Sequence, residues 1–252
     1  MPSLLASGEA PAAPLRGELR YGLELARLLA DRDFHRPARS AQASPALLVP
    51  GFMAGDRSLA VLAGWLRRRG SRTASAGIRF NVDCAERAVV GIEARLRRLA
   101  ERAERPVTLI GQSRGGGLAR VAALRNPELV GTLVMLGSPV LDPLGVGPAV
   151  LGAVRYVARL GDLGVPGMFS TECGDGECCA AFREQTEAPL PPGLRAVSIY
   201  SRSDGIVSWE ACLDPWAECI EVESSHSGMS VNLGVYRVLA RILDQEEDRW
   251  TG

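Results

Sequence analysis

Ser113 lies in Gly111-Gln112-Ser113-Arg114-Gly115, after the apolar run Val107-Thr108-Leu109-Ile110 and before a helix-like stretch, Leu118 to Leu124. A strand, G-x-S-x-G and a helix make a turn on which a serine hydroxyl stands exposed, and the glycines let backbone pass close on both sides. A serine hydroxyl becomes a nucleophile when a base takes its proton and a third group orients that base. The chain has only two histidines. His35 has no partner motif and reads as a surface residue. His226 follows the last predicted strand, in Ser225-His226-Ser227-Gly228. Asp204, in Ser203-Asp204-Gly205 just past the previous strand, is the candidate orienting acid, and Asp214, before Pro215, is the second choice. Singly, each has a bland reading as a structural turn serine, an Asp-Gly turn or a surface histidine. Together, in the order Ser, Asp, His, each at a strand end, they favour nucleophilic catalysis.

A carbonyl attacked by serine develops an oxyanion, which needs donors already in place. The backbone N–H groups of Phe52, in the Pro50-Gly51-Phe52 turn, and of Arg114, next to the serine, are the candidates. Met53, Val150, Val154 and Met229 are candidate substrate-pocket residues. Val150 and Val154 belong to an apolar stripe with Leu151, Val157 and Leu160, which equally fits a helix simply packed on the body.

The elements that must position these groups alternate. Strands are expected at Ala46–Val49, Thr73–Ile78, Val107–Ile110, Leu129–Leu136, Arg195–Tyr200 and Cys219–Val222. Helices are expected over Ser58–Arg69, after a capping box of Asp83 and Glu86, after Ser113, and over Gly228–Leu243. The helix after Asp83 carries Val89, Ile92, Leu96, Leu99 and Ala100 at core spacing. Strand–helix alternation with near-continuous apolar strands implies a mostly parallel sheet flanked by helices. Chemistry gathers at the carboxyl ends of such strands, where Ser113, Asp204 and His226 fall. From Val140 to Pro192 the alternation fails, with one apolar helix candidate, Ala149–Leu160, and this stretch reads as a cap or lid insertion over the serine turn. Residues 1–45 read as an N-terminal helical extension, with Leu19, Leu23, Leu25, Ala26, Leu28 and Leu29 as its apolar stripe, followed by a linker. Residues 46–252 form the main domain.

Composition narrows the function. Net charge is zero, so the basic footprint of a nucleic-acid binder is missing. All 29 basic residues are arginine, which rules out Schiff-base or phosphate-cradle lysine chemistry. No apolar stretch is long enough to span a bilayer. Met1 to Pro14 carries no visible signal peptide. The expectation is a cytoplasmic protein, with a secreted mature form that has shed its leader as the alternative. Oligomeric state is not encoded in any pattern. Of six cysteines, Cys173, Cys178 and Cys179 cluster in the insertion. Without C-x2-C spacing or a nearby histidine, no metal is assigned there. Inert loop thiols are the first reading, and a Cys173–Cys178 or Cys173–Cys179 disulfide the second.

The segments Val49-Pro50-Gly51-Phe52, Ile110–Gly116, Leu136-Gly137-Ser138-Pro139, Tyr200–Val207 and Ser224–Met229 resemble the α/β-hydrolase superfamily, and within it bacterial lipase-like esterases. The resemblance runs from about Ala46 to the end. It implies an α/β-hydrolase fold with Ser113 as nucleophile on its elbow, His226 as base, Asp204 as orienter and no cofactor. Two departures stand out. Pro50-Gly51 replaces the His-Gly of many relatives, and Arg114 replaces a mostly aliphatic residue. The Arg114 side chain is expected to be tied back structurally, the alternative being preference for an anionic or polar acyl group. The expected function is a serine hydrolase of small-molecule carboxylic esters acting through an acyl-enzyme. The rivals are an acyltransferase or thioesterase with the same triad, and a ligand-binding protein without turnover.

Overall fold

A computed structural model describes residues 15–251, with side chains described from 17 to 246. Met1 to Pro14 lies outside the described residues. The chain opens with a helical turn, Leu15–Arg20, then α1 (Tyr21–Ala30) and α2 (Arg32–His35). It continues through β1 (Ala46–Val49), α3 (Ala60–Arg69), β2 (Thr73–Ser75), α4 (Ala85–Ala103), β3 (Val107–Gln112), α5 (Arg114–Arg125) and β4 (Val130–Leu136). Three helices follow without a strand, α6 (Pro148–Asp162), α7 (Glu172–Asp175) and α8 (Ala180–Glu187). β5 (Arg195–Tyr200), β6 (Glu218–Glu221) and α9 (Leu233–Thr251) close the fold.

Six parallel strands pair in the order β2-β1-β3-β4-β5-β6. The residue alternation explains why the central strands read as unbroken apolar runs. Ala46 and Leu48 face one core with Leu62, Leu66, Val235 and Leu239, whereas Leu47 and Val49 face the other with Val89, Ile92, Leu96 and Leu118. Helices thus cover both faces, as a parallel sheet requires. β6, at an edge, is short and carries Glu218 and Glu221, which discourages further pairing.

Several local expectations change. β2 stops at Ser75 rather than Ile78. The closing helix begins at Leu233, after a separate 3-10 turn at Ser227–Ser230. The capping box does not form. Cys84 is the N-cap residue, and Asp83 Oδ1 accepts from the Cys84 N–H at 2.7 Å. Glu86 instead takes a bidentate bond from Arg125, at 2.7 and 2.9 Å, an interaction stronger than a neutral cap. The stripe on α1 is also not the one the leucines suggest. Leu28 is wholly buried, but Leu19, Leu23 and Leu29 are exposed, and the inward face carries Glu24. A carboxylate goes inward because buried donors await it.

Candidate active site

The serine turn is built by close packing. Ser113 has φ 53° and ψ −128°, a conformation that a residue with a side chain adopts only under constraint. The constraint is visible at the flanking glycines. A Cβ on Gly111 would lie 2.3 Å from the Gly115 carbonyl oxygen, and one on Gly115 would lie 2.4 Å from the carbonyl oxygens of Val49 and Pro50. Strand β1, strand β3 and the start of α5 therefore meet at a point where only hydrogen fits.

His226 and Asp204 come together across two loops. His226 Nδ1 lies 2.7 Å from Asp204 Oδ2, with both side chains buried. The other carboxylate oxygen, Oδ1, accepts the Ile206 and Val207 N–H groups, each at 2.8 Å. The acid is thereby fixed in rotation. Burial alone would lower the His226 pKa, but the charge and hydrogen bond of Asp204, with the charge of Glu18, outweigh it and raise the imidazole above its ordinary value. Ser113 and His226 line one cavity of about 1110 Å³, together with Gly51, Phe52, Met53 and Arg114. Among the described residues no hydrogen bond joins Ser113 Oγ to the imidazole. In an unliganded site that contact is commonly loose and tightens with substrate.

Asp214, the second-choice acid, is engaged by a different partner. Arg120 Nε donates to it at 2.7 Å, and this pair is almost fully buried. Arg120 Nη2 also donates to the Ala188 carbonyl, which ties the end of α8 to α5.

Phe52 and Arg114 both flank the serine in the cavity wall. Among the described residues the Phe52 N–H has no acceptor, and the Arg114 N–H, at the first position of α5, has none within its helix. Both donors are unspent. The Arg114 side chain is held back. It donates to the Asn81 side chain and carbonyl and, at 2.6 Å, to the Asp83 carbonyl. Burial lowers its pKa to about 10, with nearby acidic groups opposing, so it stays a cation at neutral pH. Asn81 Nδ2 in turn donates to the Pro50 carbonyl at 2.7 Å, so this network sets the Pro50-Gly51-Phe52 turn.

Of the candidate pocket residues, Met53, Val150 and Val154 line the cavity. Met229 does not. It is wholly buried in the core beneath the sheet with Val231 and Val235, because the turn at Ser227–Ser230 directs it inward. The α6 stripe divides as well. Leu151 packs with Val146 and Val207, and Val157 packs with Val82 and Phe169, while Val150, Ala153 and Val154 face the cavity.

Three residues absent from the sequence reading hold the site. Glu18 accepts the His226 and Ser227 N–H groups at 2.8 and 2.9 Å, and the Gly205 N–H at 3.2 Å. It thus joins the loops that carry Asp204 and His226. Burial alone would raise its pKa, but these backbone bonds and the charge of His226 bring the net value below the ordinary one. Glu24 accepts the Ser225 N–H at 2.8 Å and its hydroxyl at 2.6 Å. Gln112 Nε2 donates to the His226 carbonyl at 3.1 Å. Only Gln112 had a local signal, its place in the serine turn.

Metal-ligating groups also converge beside the cavity. The sulfurs of Cys84, Cys173, Cys178 and Cys179 all lie within 4.8 Å of one another. All six cysteines are free, so neither disulfide of the second reading is present.

No family model matches the chain, and none of the curated proteins does either. Solved structures do. A Bacillus licheniformis lipase in its mature form is 16% identical, with a TM-score of 0.61, covering 82% of this chain and 94% of that one. A structure titled for the metagenome-derived lipolytic enzymes LipS and LipT is 19% identical, with a TM-score of 0.59, covering 82% and 95%. A soluble variant of monoglyceride lipase from Saccharomyces cerevisiae is 11% identical, with a TM-score of 0.55, covering 84% and 87%. The chain has the α/β-hydrolase fold. At these identities the likeness is one of architecture.

Proposed function

We propose that this α/β-hydrolase-fold protein is a serine hydrolase that cleaves carboxylic esters of small molecules. The observation that carries the reading is a serine held at positive φ in the same cavity as a histidine whose Nδ1 is fixed by a buried aspartate. Ser113 Oγ attacks the ester carbonyl while His226 Nε2 accepts its proton. Asp204 keeps the imidazole in the tautomer with Nε2 free and stabilises the cation that forms. The Phe52 and Arg114 N–H groups receive the oxyanion. His226 then protonates the leaving alcohol, and an acyl group remains on Ser113. Water, deprotonated by the same histidine, releases the acid. Every step draws on side chains and amides of this chain.

Residues 46–252 are the catalytic unit in this reading, with 140–192 as its cap. Residues 1–45 contribute the braces Glu18 and Glu24. Apolar side chains from the cap, including Val150 and Val154, give the cavity an acyl-binding wall. The lipase neighbours are consistent with such a substrate. The test is hydrolysis of p-nitrophenyl esters from acetate to palmitate by wild type and Ser113→Ala. A loss of about 10⁶-fold in kcat is expected in the variant. Equal turnover by both proteins, or a wild-type serine that ignores a fluorophosphonate probe, would reject the proposal.

A further inference from the structure

Four thiols from two distant segments meet at the cavity wall. Cys84 caps α4 in the body of the fold, whereas Cys173, Cys178 and Cys179 come from the loop of the cap around α7. Cys84 Sγ lies 3.4 Å from Cys179 Sγ, and Cys178 Sγ lies 3.5 Å from Cys173 Sγ and 3.7 Å from Cys179 Sγ. A bonded disulfide would bring two sulfurs to about 2.05 Å. A single zinc ion with Zn–S bonds of about 2.3 Å sets tetrahedral sulfurs about 3.8 Å apart. These three separations lie near that edge length, and all four sulfurs lie within 4.8 Å of one another. They leave room for one ion among the sulfurs.

We propose that Cys84, Cys173, Cys178 and Cys179 bind a structural zinc ion that fastens the cap to the body of the fold. Four protein sulfurs fill a tetrahedral shell, so no position is left for water or substrate, and the ion's role is architectural. Each thiol that binds gives its proton to solvent and becomes a thiolate. Four thiolates and a divalent cation leave a net charge of minus two, and cations stand nearby to balance it. The guanidinium groups of Arg87 and Arg114 both act electrostatically on Cys84 and Cys173. Arg183 stiffens the loop, donating to the Cys173 carbonyl at 3.4 Å and the Gly176 carbonyl at 2.6 Å.

The position gives the ion a consequence. Cys173, Gly174 and Asp175 line the cavity. On the body side, Cys84 directly follows Asp83, whose carbonyl anchors Arg114. One ion would therefore set the distance between the cap wall and the serine turn.

The test does not depend on esterase activity. Zinc is measured by elemental analysis in full-length protein after gel filtration, together with free thiols counted in denaturant. The expected result is one zinc per chain, with all cysteines reduced once the metal is chelated. Cobalt(II) added to the chelated, reduced protein should give thiolate-to-metal charge-transfer bands. Cys178→Ser, at the most exposed of the four positions, should lose the zinc and melt at a lower temperature, whereas Cys219→Ser should keep it. If Cys178→Ser does not fold, Cys173→Ser serves in its place, and the cobalt spectrum of wild type decides independently. Wild type that lacks zinc and gives no cobalt bands would overturn the proposal. So would disulfides among the four cysteines, iron in place of zinc, or full zinc content in Cys178→Ser.

Discussion

The two flanks of Ser113 are braced with opposite charge. Behind the histidine, the carboxylates of Glu18, Glu24 and Asp204 collect backbone N–H groups from residues 205–207 and 225–227. On the serine and cap flank, guanidinium groups collect backbone carbonyls instead, with Arg114 on residues 81 and 83, Arg120 on 185 and 188, and Arg183 on 173 and 176. Both arrangements order loops through charge-assisted hydrogen bonds. Their fields differ. The acidic flank favours a cationic imidazole, and on the other flank, where Asp214 neutralises Arg120, Arg114 favours an anion beside Ser113. Those are the two charges that separate when a serine attacks a carbonyl, so the braces and the proposed chemistry point the same way.

This contrast can be broken one brace at a time. The largest effect is expected from Asp204→Asn, which keeps the shape and leaves the imidazole in the wrong tautomer. Turnover should fall about 10⁴-fold while circular dichroism stays unchanged. Asp214→Ala probes the other flank. It strands the buried Arg120 cation, and urea titration should show a loss of about 3–5 kcal/mol, with kcat per folded molecule near wild type. A comparable loss of kcat instead would make Asp214 part of the chemistry. Arg114→Met keeps the N–H donor but frees Asn81 and the Pro50-Gly51-Phe52 turn. A drop in kcat of about tenfold, with little change in KM, is the expected signature of a donor displaced from the oxyanion.

Glu18→Gln should have the smallest effect on rate, about fivefold for roughly 1 kcal/mol of lost loop order. Its signature lies in pH. Glu18 helps hold the His226 pKa up, so the acid limb of kcat/KM should move to lower pH in the variant. An unmoved limb would remove Glu18 from the electrostatics of the base. Stability supplies a second readout. The folded pKa of Glu18 is below its ordinary value of 4.5, so its contribution is present above that value and is lost as pH falls through the folded pKa. His226 behaves oppositely, with its contribution present below the ordinary imidazole value and lost as pH rises through the raised one.

The four central strands were legible in the sequence because each is a short, mostly apolar run bounded by turn residues, whereas the edge strands β2 and β6 are short and polar and their bounds shifted. Ser113, Asp204 and His226 could be singled out because each follows the carboxyl end of a strand. The braces were not. Glu24 lies among leucines, and periodicity ranks the leucines inward. Only the fold reveals the unpaired N–H groups of a loop some 200 residues away that draw the carboxylate in. Cys84 was hidden for the same reason, since metal motifs are read from spacing and its partners lie in another segment. The failed capping box has a further lesson. Asp83 and Glu86 had the right spacing, but Arg125 offered Glu86 a better partner. Met229 illustrates the limit for pockets, because a 3-10 turn rather than a helix after His226 rotates it into the core.

The Glu18 bonds also bear on how the molecule is made. Glu18 is synthesised well before the histidine loop it steadies, 208 positions ahead of His226. Contacts of that range form late and carry a high loop-closure cost. During synthesis the sheet can grow strand by strand from β1 while the leading segment waits without its partner. A nascent chain stalled before β6 would carry the serine turn without His226, and the Glu18 bonds to residues 226 and 227 could not form.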